Sequence, residues 1–250
     1  MNSTAVAQQF NLEVSHELCA IHAEPKLITG GGPICGTCAK EKLIQANREH
    51  QKQVDTEVRK KHFAGAKLPA RHAQSGFAEY QTQNDGQKLA KMTCVKFTKD
   101  FIAGKTRNLI MVGRTGTGKT HLSCAVARNV LEHGKYARYI TSEDMANEIA
   151  NAWKKEANDS ESNAIYRFTE YDLLILDEYG LHDRHENRLQ LVHKVLYSRY
   201  DEGKPTMLIS NFTLEELRKD LGDRLWSRFQ HDGLDMVECN WSDARMRGGV

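Results

Sequence analysis

Leu109-Ile-Met-Val-Gly-Arg-Thr-Gly-Thr-Gly-Lys-Thr120 decides how this chain folds. A short apolar run of buried-strand length ends in a glycine-rich turn, and the residues after it suit a helix. Gly113 to Thr120 fills the pattern GxxxxGK[ST] at every position, in the strand, loop and helix context that the pattern requires. Gly113, Gly116 and Gly118 let the backbone wrap closely around phosphate oxygens, and the loop N–H groups with the helix N-terminus supply positive potential there. Lys119 is placed to reach the β and γ oxygens of a nucleotide, and the Thr120 hydroxyl to hold magnesium.

Working outward, apolar strand runs recur at 136–140, 173–176, 206–210 and 236–238, separated by helical stretches at 119–132, 143–155, 186–201, 214–219 and 223–230. Thr141 with Asp144 and Thr213 with Glu216 fit the capping box that opens a helix. Strands alternating with helices imply an α/β fold around a five-stranded parallel sheet, the P-loop NTPase plan. Tyr171-Asp-Leu-Leu-Ile-Leu-Asp-Glu178 is an apolar strand ending in two acids. Asp177 is the expected second magnesium ligand, and Glu178 is placed to orient or deprotonate an attacking water. Asn211, just past the next strand, puts an amide where a strand end faces the γ-phosphate.

Within 250 residues, one such domain and a small appendage fit. With 40% hydrophobic and 27% charged residues, a globular chain is expected, and a net charge of +2 leaves nucleic-acid contact to local patches. No apolar run is long enough to span a bilayer, and the polar start lacks a secretory core, so a cytoplasmic protein without membrane contact is expected. Three of the six cysteines crowd into the first 40 residues. Cys19, His22, Cys35 and Cys38 form a CxxH pair and a CxxC pair, which suits a closed, structural zinc knuckle; His16 is an alternative to His22. Residues 41–62 read as an exposed helix or linker, and 64–86, rich in glycine, as an irregular bridge. The domain division expected is 1–45 for zinc, 46–76 for a linker and 77–250 for the nucleotide-binding core. Cys94, Cys124, Cys239, Trp226 and Trp241 read as core residues, and the basic stretch 48–71 as a solvated face.

The segments GRTGTGKT (113–120), LLILDEYG (173–180), ISNFTLEEL (209–217), LGDRLWSRF (221–229) and NWSDARMR (240–247) together resemble the AAA+ ATPases, and within them the DnaC/DnaI and IstB group. The likeness covers about two thirds of the chain, from Phe77 to Arg247. It implies ATP hydrolysis in a homo-oligomer formed on ATP binding, with Arg228 as an arginine finger reaching a neighbour's ATP and Arg224 as its competitor. Arg245 resembles the second sensor arginine, with Arg247 competing. Few residues follow the last strand, so the helical lid of many AAA+ proteins is not expected, a trait of this group. The zinc segment resembles that of DnaI-type loaders, which implies a replicative DnaB-type helicase and single-stranded DNA as partners. An IstB-like transposition helper, a small-molecule P-loop kinase and a nonhydrolysing ATP-switched adaptor are the competing readings.

Overall fold

Leu109 to Val112 are buried almost completely, as expected for a central strand covered on both faces. A computed structural model describes residues 12–154, 159–181 and 186–242. In chain order its elements are β1 (Val14–Leu18), β2 (Pro25–Thr29), β3 (Gly32–Ile34), α1 (Gly36–Gly65), α2 (Asp85–Ile102), β4 (Asn108–Gly113), α3 (Lys119–Glu132), β5 (Ala137–Thr141) and α4 (Ser142–Ala150). There follow α5 (Glu161–Glu170), β6 (Leu173–Tyr179), α6 (Glu186–Asp201), β7 (Thr206–Ser210), α7 (Leu214–His231) and β8 (Leu234–Cys239). The described residues fall into two compact units that divide between Val58 and Arg59, within α1.

In the larger unit five parallel strands lie in the order β5-β6-β7-β4-β8. The period-2 alternation of strands splits the core in two. Leu109, Met111, Ile175 and Met207 pack with α2 and α3 through Phe97, Leu122 and Val126. Ile110, Val112, Leu174 and Leu208 pack on the opposite face with α4, α6 and α7 through Met145, Val192 and Leu217. The loops after β4, β6 and β7 therefore meet at the carboxyl ends of adjacent strands, where open α/β sheets bind ligands.

Of the two expected capping boxes, Thr213 with Glu216 makes the reciprocal box, whereas Thr141 and Asp144 give a simple N-cap in which Thr141 accepts from the Asp144 N–H. The helices expected at 214–219 and 223–230 are one element broken at Gly222, whose φ of 71° interrupts the helical backbone. Two helices were not foreseen, α2 and α5. The stretch expected as helix to residue 155 ends at Ala150 and tightens into a 3-10 turn, Asn151–Trp153. Arg199 of α6 is fully buried and donates to the carbonyls of Phe168, Tyr171 and Pro205 and to the Thr206 hydroxyl, at 2.6 to 3.1 Å. Burial draws its pKa down to about 9, so it remains a cation at neutral pH.

In the smaller unit β1, β2 and β3 form an antiparallel sheet, more structure than the expected knuckle. Every residue of α1 from Lys40 to Lys61 is exposed. Such a helix has no buried stripe to hold it, and i,i+4 pairs such as Gln45 to Glu49 and Gln51 to Asp55 support it instead. No helix among the described residues is long and apolar enough to cross a membrane.

Candidate functional site

The P-loop begins in a tight corner between two strands. Gly113 donates to the Phe212 carbonyl at 3.1 Å and Arg114 to the Cys239 carbonyl at 3.1 Å. At φ 118° a Cβ on Gly113 would stand 2.5 Å from the Cys239 oxygen, so only glycine fits. From this corner the loop runs through Gly116 and Gly118, both at positive φ, into the N-terminus of α3. Lys119 is mostly buried, and its ammonium donates to the carbonyls of Gly113 at 2.6 Å and Arg114 at 2.8 Å and to Asn211 Oδ1 at 2.9 Å. The lysine thus ties the P-loop to the end of β7, which lies between β4 and β6.

Thr120 Oγ1 donates to Asp177 Oδ2 at 3.0 Å, and Asp177 is buried. The pair fits magnesium, because a hydroxyl with lone pairs to spare and a carboxylate stand side by side under the P-loop, the oxygen donors this hard cation takes. Bound there, the ion would neutralise phosphate charge, held by Thr120 and Asp177. Between Leu176 and Tyr179 strand β6 gains one residue on β7, since Leu176 pairs with Leu208 and Tyr179 with Ser210. The bulge places Glu178 at φ 57°, a left-handed conformation that a non-glycine residue adopts at a cost of about 1–3 kcal/mol. Its consequence is that Asp177 turns inward while Glu178 is exposed in the cleft beside it.

That cleft, about 470 Å³, is lined by the P-loop, Asp177, Glu178, Asn211 and a strap carrying Arg71, His72, Tyr80 and Gln83. The sequence reading missed the aromatic support of the loop. Tyr80 donates to the Thr117 carbonyl at 3.3 Å and packs so closely that a Cβ on Gly118 would be 2.8 Å from its ring. Trp241, expected only as a core residue, donates to the same carbonyl at 2.9 Å. His121 turns its ring edge to Tyr80 and pairs with the Gly76 carbonyl at 2.9 Å. Also missed was Tyr139, whose hydroxyl donates to Asp177 Oδ2 at 2.6 Å. Burial first, and then the charge of Asp177, push the pKa of that phenol up.

Arg228 is not among the residues that line this cleft. Its guanidinium lies 4.5 Å from the ring centre of Tyr197 and 4.9 Å from that of Tyr200, and with Arg224 it lines a separate, open surface cleft. Arg245 and Arg247 lie outside the described residues.

In the smaller unit Cys19, His22, Cys35 and Cys38 present one ligand atom each, all within 4.8 Å of one another. Cys19 and Cys38 sulfurs are 3.6 Å apart, and His22 Nδ1 is 3.8, 3.6 and 3.3 Å from Cys19, Cys35 and Cys38. Tetrahedral zinc, with Zn–S about 2.3 Å and Zn–N about 2.0 Å, needs edges of roughly 3.5–3.8 Å. The donor set and its spacing therefore fit zinc. His22, rather than His16, stands in the cluster and would supply the nitrogen, and its Nε2 lies 3.4 Å from Glu41, a carboxylate placed to orient the ring. Without the ion the Cys19 and Cys38 thiols share their charge: the pKa of Cys19 is lowered to about 6, chiefly by the His22 backbone N–H and then that of Ile21, and that of Cys38 is raised to about 11, chiefly by its hydrogen bond with Cys19.

A parallel sheet in this order, with a P-loop after its first strand and paired acids at the end of its third, defines an ATP-binding protein of AAA+ architecture. The chain belongs to the family of IstB-like ATP binding proteins, whose model matches residues 39–234. It is 27% identical over 176 residues to the replicative helicase loader DnaC of Escherichia coli strain K12, covering 70% of this chain and 71% of that protein. The crystal structure of the DnaC helicase loader superposes with a TM-score of 0.61 at 20% identity, over 69% of this chain and all of that one. That of DnaI gives 0.56 at 20%, over 71% and 94%. At these identities the two structures speak for the fold alone.

Proposed function

We propose that this chain is an ATP-hydrolysing loader that holds a DnaB-type replicative helicase and delivers it to single-stranded DNA. The observation that carries the reading is the pairing, in one chain, of a DnaC-like nucleotide-binding core with a Cys₃His unit that leaves Leu18, Ile21 and Leu43 exposed. Closed four-ligand zinc has no open position for chemistry, so the unit serves partner binding. Residues 1–45 are then the partner-binding domain, 46–76 the linker and 77–250 the ATPase, working in the cytoplasm.

In the ATPase, Gly113, Gly116 and Gly118 bring the backbone to the phosphates, Lys119 binds the β and γ oxygens, and Thr120 and Asp177 hold magnesium. Glu178 orients the attacking water. Asn211, hydrogen-bonded to Lys119, senses the γ-phosphate. Arg228 acts on a neighbour's ATP in an oligomer assembled on ATP binding; that it lines a different cleft from the P-loop supports action in trans. Arg245 completes the nucleotide contacts.

Capture of a DnaB-type helicase by the full-length chain, with and without a zinc chelator, tests this reading. Capture that is lost on chelation, and ATPase activity that rises with protein concentration and falls in both Glu178→Gln and Arg228→Ala, are expected. The match to the IstB-like family favours a second reading, a transposition helper, and retention of a transposase and duplex DNA in place of the helicase would establish it.

A further inference from the structure

We propose that Tyr139 is a positioning residue for Asp177, setting the carboxylate so that Thr120 turns its lone pairs to magnesium; this rests on the reading of Thr120 and Asp177 as the magnesium site. Tyr139 pairs in register with Ile175, two residues before Asp177, and Thr141 pairs with Asp177 itself. Two residues span roughly 7 Å of strand. A phenol on β5 is long enough to reach from one pair to the next, where serine or threonine at the same position would fall short.

The bond made there is short. At 2.6 Å, Tyr139 O–H to Asp177 Oδ2 has the length of a hydrogen bond onto an ionised acceptor, and the tyrosine is 8% exposed. Oδ2 also accepts the Thr120 hydroxyl at 3.0 Å, and Oδ1 accepts the Glu178 N–H at 2.7 Å. Three donors from three elements thus fix the carboxylate plane. The Tyr139 main chain is anchored as well, through its N–H to the Ala66 carbonyl at 2.9 Å.

The consequence concerns Thr120. With its proton directed to Oδ2, the hydroxyl presents its lone pairs away from Asp177, as a metal ligand must. Without the phenol the carboxylate rotates about χ2, and the direction of the Thr120 proton is no longer set. Tyr139 lies behind Asp177 and acts through it.

The test is Tyr139→Phe in the full-length chain, read by the affinity of a fluorescent, nonhydrolysable ATP analogue across a series of magnesium concentrations and in EDTA. The magnesium concentration that half-saturates the tightening of nucleotide binding should rise about tenfold or more, the usual cost of losing such an outer partner. Affinity in EDTA should not change, and the melting temperature should fall by no more than the few degrees that one lost buried hydrogen bond costs. In an Asp177→Asn background the same substitution should shift the magnesium midpoint less than twofold. An unchanged midpoint, or an equal loss of affinity in EDTA, overturns the role of Tyr139 while leaving the magnesium site standing. If magnesium does not tighten binding in the unsubstituted chain, the site reading itself falls and takes this proposal with it. Mn²⁺ bound to the nucleotide complex, followed by electron paramagnetic resonance, gives a readout independent of the fluorophore, and an unaltered spectrum in Tyr139→Phe counts against the proposal.

Discussion

Chelating zinc should unfold the N-terminal unit and leave the nucleotide-binding unit standing. Among the described residues up to Val58, the buried side chains are Cys19, Leu27 and Cys35, and two of these three are metal ligands. Burial of Leu27 contributes about 1.5–3 kcal/mol. A structural zinc returns about 10–16 kcal/mol to sites of this type at neutral pH. The metal term is several times the hydrophobic one, so order in β1 to β3 depends on the ion. Hydrogen exchange read by mass spectrometry on the full chain checks this: amides in 14–34 should lose protection on chelation or in Cys35→Ser, while those of β4, β6 and β7 keep theirs. Elemental analysis should return one zinc per chain. Because the ligands bind deprotonated, protons compete with the ion, and zinc should be released as pH falls. Protection in 14–34 that survives chelation, or a zinc content far below one after refolding in zinc, would refute the reasoning.

Arg199→Met should destabilise the larger unit by about 3 kcal/mol or more, because several buried acceptors lose their donor at about 1–3 kcal/mol each while removing a buried charge offsets part of the cost. Urea unfolding measures it, and a change under about 1 kcal/mol contradicts it. Glu178→Gly should abolish ATP turnover yet hold or raise the melting temperature by a few degrees, since glycine relieves the φ of 57°; Glu178→Gln should abolish turnover with no gain in stability. Trp241→Phe keeps the packing but loses the bond to Thr117, so nucleotide affinity should fall about two- to tenfold in a binding titration. Replacing both Tyr197 and Tyr200 with leucine frees Arg228, and the concentration-dependent part of ATPase activity should drop while nucleotide affinity stays.

Several of these features are legible in the sequence. The P-loop is one continuous segment whose chemistry lies in its own backbone, so Gly113 to Thr120 could be read letter by letter. The paired acids, the two helix N-caps, the five strands and the CxxH and CxxC pairs are local in the same sense, each a short spacing with a physical meaning. Helix α2 is also legible in the sequence, since Ala90, Cys94, Phe97 and Phe101 repeat at helical spacing. The inward turn of Asp177 and outward turn of Glu178 come from a bulge set by pairing with β7, which no local pattern in β6 announces.

What the sequence determined by itself was the nucleotide-binding class, the sheet and the set of candidate ligands. Tertiary structure decided which side chains support them: Tyr139 meets Asp177 across 38 residues of chain, Tyr80 meets Thr117 across 37, and Trp241 meets Thr117 across 124. A tyrosine in an apolar strand or a tryptophan near a terminus has the same local signature whether its polar atom ends in solvent or against a buried oxygen. A polar tip acquires its role only from the partner that long-range packing brings within about 3 Å and shields from water.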